Sequence, residues 1–236
     1  LISHAEIYGD PAGTKLWDQV DDVINRTYPT AKGEQIRVSA IGIDSGGHFT
    51  SEVYAYCRQR QNKNVFALKG QSQRNKPPIG KPSKVDINYR GQVLKNSAQV
   101  FPVGVDTIKT TLFGRLKHNE EGAGYIHFHA EAGVEYFKQL TSERQVVRYV
   151  KGFAVREWKK KAGDRNEALD CFVYSYAALN FLYMRYNRHT IFDQFNKNKS
   201  KHEKVERTAE NRLESDHQPL RRRRTLRQRQ SFVTNW

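Results

Sequence analysis

The sequence predicts an α/β protein, a mixed central sheet flanked by helices. Two apolar runs that each end in an aspartate read as buried strands, and one long stretch rich in Ala, Leu and aromatic residues reads as a helix. The runs are 37–43, followed by Asp44, and 99–105, followed by Asp106; the helix covers 165–186. A further apolar run at 65–68 supplies another strand. Residues 107–117 read as a helix after Asp106, 125–129 alternate like a strand, and 133–140 form a short helix. A hairpin is expected over 145–158, broken at Lys151-Gly152. Segment 51–60 carries both periodicities; the helical one is preferred, with Thr50 or Ser51 as its N-cap. Pro77, Pro78, Gly80 and Pro82 make 71–84 a loop.

The chain has 236 residues, with 40 Lys and Arg against 25 Asp and Glu, a formal charge of +15. That balance points to a polyanionic partner, nucleic acid first. No apolar run approaches the ~20 residues of a membrane-spanning helix, so no membrane partner is expected. The start carries no signal-peptide pattern and no initiator Met, so the sequence reads as a piece of a longer polypeptide. Cys57 and Cys171 are too few for a disulfide framework or a four-Cys zinc site; buried reduced thiols in a reducing cytoplasm fit them.

Three segments are expected. Residues 1–35 form a leader, with turn chemistry at Gly9-Asp10-Pro11 and a helical stripe of Leu16, Trp17, Val20, Val23 and Ile24. Residues 36–190 form the compact domain. Residues 191–236 form a basic tail expected to be disordered, including Arg221, Arg222, Arg223 and Arg224. From Lys197 onward there are 12 basic and 5 acidic residues, suited to a solvated tail, a phosphate-tracking arm or a docking segment.

The acids carry the chemistry. Asp44 precedes Ser45-Gly46-Gly47, which lets backbone or substrate approach closely. In open α/β sheets ligands bind beyond the carboxyl ends of strands, where both Asp44 and Asp106 fall. Glu167 and Asp170, three apart, share a helix face. Converging carboxylates need a cation, and hard oxygen donors favour Mg²⁺ or Mn²⁺; two such ions can activate water and stabilise the leaving oxygen in phosphodiester cleavage. The plain alternative makes Asp44 and Asp106 turn or cap residues in a non-catalytic DNA-binding module.

Four segments, Ile41–His48, Val65–Gly70, Val103–Lys109 and Arg165–Tyr174, resemble the nuclease domain of lambda-type phage terminase large subunits. The resemblance covers residues 1–190, and Arg165–Tyr174 is its most specific part. It implies an RNase H-like fold and a metal-dependent endonuclease that cuts concatemeric double-stranded viral DNA during packaging in the host cytoplasm. It implies a packaging ATPase domain in the same polypeptide, a small terminase subunit and a portal as partners. It implies Asp44, Asp106 and Asp170 as the metal-holding acids, with Glu167 or Asp164 as alternatives at the third position. A helix over 51–60 departs from the β-hairpin that an RNase H-like core places after its first acid. A recombination or integrase-like nuclease of the same fold is the rival within this chemistry.

No ATPase motif is present: at Gly80-Lys81-Pro82-Ser83, Pro82 takes the required Ser/Thr position. His48 reads as a loop histidine without a role in the chemistry, the alternative being approach to the scissile phosphate or an attacking water, and Lys109 as either a phosphate partner or a solvated helix residue. His127 and His129 read as a structural or DNA-contacting pair. Ser45 lacks the nucleophile-elbow pattern.

Overall fold

A computed structural model of the chain describes residues 1–194 apart from Ala31 and Arg90; the tail arginines 221–224 lie outside the described residues. The elements run α1 (Lys15–Asn25), β1 (Thr27–Pro29), β2 (Gln35–Arg37), β3 (Ile41–Asp44), α2 (Thr50–Gln59), β4 (Val65–Gln71), β5 (Ser83–Tyr89), β6 (Gln92–Gly104), α3 (Val105–Arg115), α4 (Val134–Leu140), β7 (Glu143–Val150), β8 (Phe153–Lys160) and α5 (Glu167–Arg185).

The main sheet has the order β3-β4-β6-β5. Strands β3, β4 and β6 are parallel, and β5 closes the edge antiparallel to β6. Alternation along β4 divides its side chains between two cores, as a sheet covered on both faces requires. Val65 and Ala67 join Val53, Tyr54, Tyr56 and Cys57 of α2, with Val100 of β6. On the other face Phe66 stacks on Phe181 of α5 with ring centres 4.0 Å apart, and Phe101 meets both rings edge-on at 5.3 Å.

The segment expected to be a leader packs into this body. Trp17 stacks on Tyr56 at 4.4 Å, and Ile24 joins the α2-side core. Tyr56 donates to Asp21 Oδ1 at 2.8 Å, and the Arg60 Nε donates to the same oxygen at 2.7 Å. The Arg60 guanidinium also lies 3.9 Å over the Tyr56 ring.

Several expectations are corrected. The run 37–43 is not one strand: β2 pairs antiparallel with β1, and the chain changes partner before β3 pairs with β4. Residues 125–129 form no ladder; their alternation has no neighbouring strand to pair with. The proline-rich loop gives way at Ser83 to β5, which sequence reading left out. The helix over 51–60 is present, but its N-cap is Phe49, not Thr50 or Ser51. Thr50 Oγ1 instead donates to the carbonyls of Ser45 and Gly47, at 2.9 and 2.8 Å. The first acid is therefore followed by a β–α–β crossover and not by a hairpin.

Gly104 ends β6 where the loop before β5 crosses it. A Cβ there would meet the carbonyl oxygens of Lys76 and Pro77 at 2.5 Å. The Gly104 amide donates to Pro77 O at 3.1 Å, and Thr107 Oγ1 donates to Lys76 O at 2.7 Å, so this loop is tied to the start of α3.

Candidate active site

Asp44 is exposed at the carboxyl end of β3. Its carboxylate accepts the Gly46 amide at 3.0 Å, and the buried Ser45 donates through both amide and hydroxyl to Leu68 O at 2.8 Å. Ser45 is thus spent on joining β3 to β4 and not available as a nucleophile.

Helix α5 brings Asp170 to the same end of the sheet. The Asp170 carboxyl is raised above the ordinary range, mainly by burial, against the lowering influence of Lys109; the charges of Glu143, Asp44 and Glu167 add to the rise. One turn further, the Tyr174 phenol is also raised, by burial and then by the charge of Asp44 and a hydrogen bond to it. Asp44, Asp170 and Tyr174 therefore form one electrostatic group. Tyr174 also lies against Gly70 of β4, where a Cβ would sit 3.1 Å from its hydroxyl.

Lys109 is neither a solvated residue nor an open phosphate partner. It is 6% exposed, and its Nζ lies 2.7 Å from both carboxylate oxygens of Glu143 and 3.8 Å from Asp170 Oδ1. Glu143 is also buried, at 8%. Asn166 completes the group: its Nδ2 donates to Glu143 Oε1 and to Asp170 Oδ2, each at 3.0 Å, and its Oδ1 accepts Lys160 Nζ at 3.1 Å. Sequence reasoning missed Glu143 and Asn166. The available signal for Asn166 was its spacing four residues before Asp170, one helical turn. Glu143 gave none.

Asp106 sits in the first turn of α3 and is half-buried. In the sheet register Asp44 is level with Leu68, and Leu68 with Phe101, so Asp106 lies five residues beyond that level and two strands away. Glu167 is exposed and accepts Arg165 Nε at 3.2 Å; it makes no hydrogen bond to the Lys109 group among the described residues, although its charge reaches Asp170. Asp164 is exposed in the turn before α5 and His48 in the turn after Asp44; neither joins the group. His127 and His129 lie on the unpaired segment, not on a strand face. Cys171 is exposed as a residue, not buried as expected, although local burial and then the Asp170 charge raise its thiol; Cys57 is buried.

The donor chemistry at Asp44 and Asp170 fits a hard divalent cation. The number of donors does not: among the described residues, no three His, Cys, Asp or Glu side chains stand close enough together to hold a metal ion.

Acids at the carboxyl ends of parallel strands, inside so basic a chain, place the protein in the class of nucleic-acid-processing α/β domains. The family "Terminase large subunit gpA, endonuclease domain" matches residues 1–191, and the chain belongs to it. It is 33% identical over 193 residues to the terminase large subunit of Escherichia phage lambda and 32% identical over 194 residues to that of Enterobacteria phage P21. Each comparison takes in 79% of this chain but 29% of the relative, so the chain spans less than a third of the length of the curated relatives it matches. No solved structure matches it. Among the described residues, no helix is long and apolar enough to cross a membrane.

Proposed function

We propose that the chain is a metal-dependent endonuclease that cuts concatemeric double-stranded viral DNA during genome packaging. The observation that carries the reading is the convergence of Asp44, from a strand end, and Asp170, from α5, on one electrostatic group beside a buried Lys–Glu pair. Family membership supports it independently.

In this reading Asp44 and Asp170 are the first metal-holding carboxylates, and Asp106, in the first turn of α3 and apart from them here, is the third carboxylate that would have to approach them when metal binds. A pair of Mg²⁺ or Mn²⁺ ions bound there would lower the pKa of an attacking water and stabilise the departing oxygen. Lys109 offsets the charge of Glu143 and tempers that of Asp170, so two acids can remain at one end of the helix without a bound cation. Asn166 fixes the Asp170 carboxylate by holding Oδ2. Tyr174 limits how Asp44 can turn. The RNase H-like class belongs to the proposal in a reduced form, acids at parallel strand ends without the first hairpin.

The remaining parts follow from the family. Residues 191–236 are read as a basic arm that contacts DNA or docks on a portal. The packaging ATPase domain, the small terminase subunit and the portal are the proposed partners, in the host cytoplasm. Plasmid digestion with Mg²⁺ or Mn²⁺ against an EDTA control is the test. Nicked or linear product with metal, and none with EDTA, is expected; no cutting with either ion overturns the reading.

A further inference from the structure

The β7–β8 hairpin has no role in the site beyond its root. Both strands are stitched to the residue just before α5 there, Glu143 of β7 and Lys160 of β8 each bonding Asn166, and Trp158 lies against Phe113 of α3 with ring centres 4.7 Å apart. Its strands pair from Glu143↔Lys160 to Val150↔Phe153. At about 3.3 Å per residue, that ladder is roughly 26 Å long. The tip is a two-residue turn, with Lys151 at φ 50° and Gly152 at φ 82°. Positive φ at both positions is what a tight hairpin turn requires.

The outer part is unlike an ordinary solvated hairpin. Val147 and Tyr149 on one face of the ribbon and Phe153, paired with Val150 on the other, are 57%, 74% and 77% exposed, so both faces near the tip carry uncovered apolar side chains among the described residues. Residues 144–161 carry seven Lys and Arg and one acid, Glu157. Glu157 pairs with Arg148 and Lys159. Arg144, Lys151, Arg156 and Lys161 have no carboxylate partner among the described residues. An apolar tip alone would suit a protein partner. An apolar tip between unpaired cations suits a polyanion with an apolar interior.

We infer that the β7–β8 hairpin is a double-stranded-DNA-binding ribbon that enters a groove tip first, its unpaired cations pairing with phosphates while Tyr149 on one face and Phe153 on the other meet the two groove walls. The inference rests on the nuclease reading for its partner. A major groove about 12 Å wide admits a two-stranded ribbon, and apolar side chains at such a tip can lie against sugars and base steps. Because the root is shared with Asn166 and hence with Asp170, a duplex on the ribbon is held beside the acids. The ribbon gives the domain a DNA contact independent of the C-terminal arm.

The test uses the full chain in EDTA and a duplex of about four helical turns, with affinity titrated over a series of salt concentrations. Arg144→Gln with Lys151→Gln and Arg156→Gln is expected to weaken binding at least about tenfold. It should also make the slope of log affinity against log salt shallower by about 2.7, near 0.9 per lost phosphate contact. Tyr149→Ser with Phe153→Ser is expected to weaken binding several-fold and leave the slope unchanged, since apolar contacts release no counterions. All these positions are exposed, so both variants should melt with the parent. Parental slope in the first variant, or parental affinity in the second, overturns the ribbon and leaves the tip to a protein partner. Metal-free binding is read apart from cutting: loss of the ribbon leaves plasmid digestion by the parent as evidence for the nuclease, and failure of digestion leaves the binding result standing.

Discussion

Lys109 and Glu143 form a closed pair, with Nζ 2.7 Å from both carboxylate oxygens and the two side chains 7% and 8% exposed. The pair joins α3 to the root of the hairpin. Breaking such a pair from one side leaves a buried charge, which costs more than the pair itself contributes. Lys109→Met should therefore lower stability by about 3–5 kcal/mol, and the double change Lys109→Met with Glu143→Leu should recover most of that loss. Urea denaturation of the three proteins at neutral pH checks it; a double variant no more stable than Lys109→Met would show that the pair is not the source.

The acids should separate by function. Asp44→Asn and Asp170→Asn are expected to lower plasmid cutting by more than about 100-fold, beyond the roughly 10- to 100-fold that supporting residues around a metal typically command. Glu167→Gln should stay within about threefold, because its carboxylate faces Arg165 at the surface. Asp170→Asn should melt no lower than the parent at neutral pH, since burial and then the neighbouring acids already disfavour its charge. A larger loss from Glu167→Gln than from Asp170→Asn moves the site one turn back along α5.

Asp106→Asn decides whether the β6 end belongs to the same site. It should abolish cutting as fully as Asp44→Asn if Asp106 supplies the third carboxylate. Near-parental cutting would reduce it to a residue in the first turn of α3, where a carboxylate favours the helix N-terminus.

The clamp between α1 and α2 sets a pH dependence. Asp21 is held below the ordinary carboxylate range, first by its hydrogen bond from Arg60 and then by that from Tyr56, against an opposing effect of burial. A depressed carboxylate contributes stability above its unfolded pKa and loses it as pH falls through the folded one. Asp21→Asn should lower stability by about 1 kcal/mol at neutral pH, and the difference should shrink as pH drops below about 4. Thermal melts of the two proteins across that range measure it; a constant gap would assign the loss to packing.

Gly104→Ala should destabilise by about 1–3 kcal/mol, the range for forced overpacking. The added carbon meets two backbone carbonyls that cannot swing away as a side chain tip can. Calorimetry gives the size, and unchanged melting would mean that the Lys76-Pro77 loop moves freely.

Much of this was legible where the sequence signal is local. Helices α1 and α5 follow their apolar stripes, and Lys151-Gly152 marks the hairpin turn because a tight turn restricts the backbone of just two residues. Other features depend on neighbours that spacing does not encode. Residues 125–129 alternate as a strand does yet find no partner, and the run 37–43 is divided because its halves pair with different strands. The site was half legible for the same reason: Asp44 and Asp170 lie within recognisable segments, whereas the burial of Lys109 depends on Glu143, 34 residues later.

The ring stack of Phe66, Phe101 and Phe181 acts on the acids as an alignment pin. Phe181 lies eleven residues along α5 from Asp170, roughly 16 Å at about 1.5 Å per residue. Two sheet rings grip it on two sides and fix the azimuth of the whole helix. Turning α5 by a small angle about its axis would shift Asp170 relative to Asp44 without altering any group at the strand ends. The precision of the carboxylate pair is thus set partly at the opposite end of the helix, among residues with no charge and no contact with it.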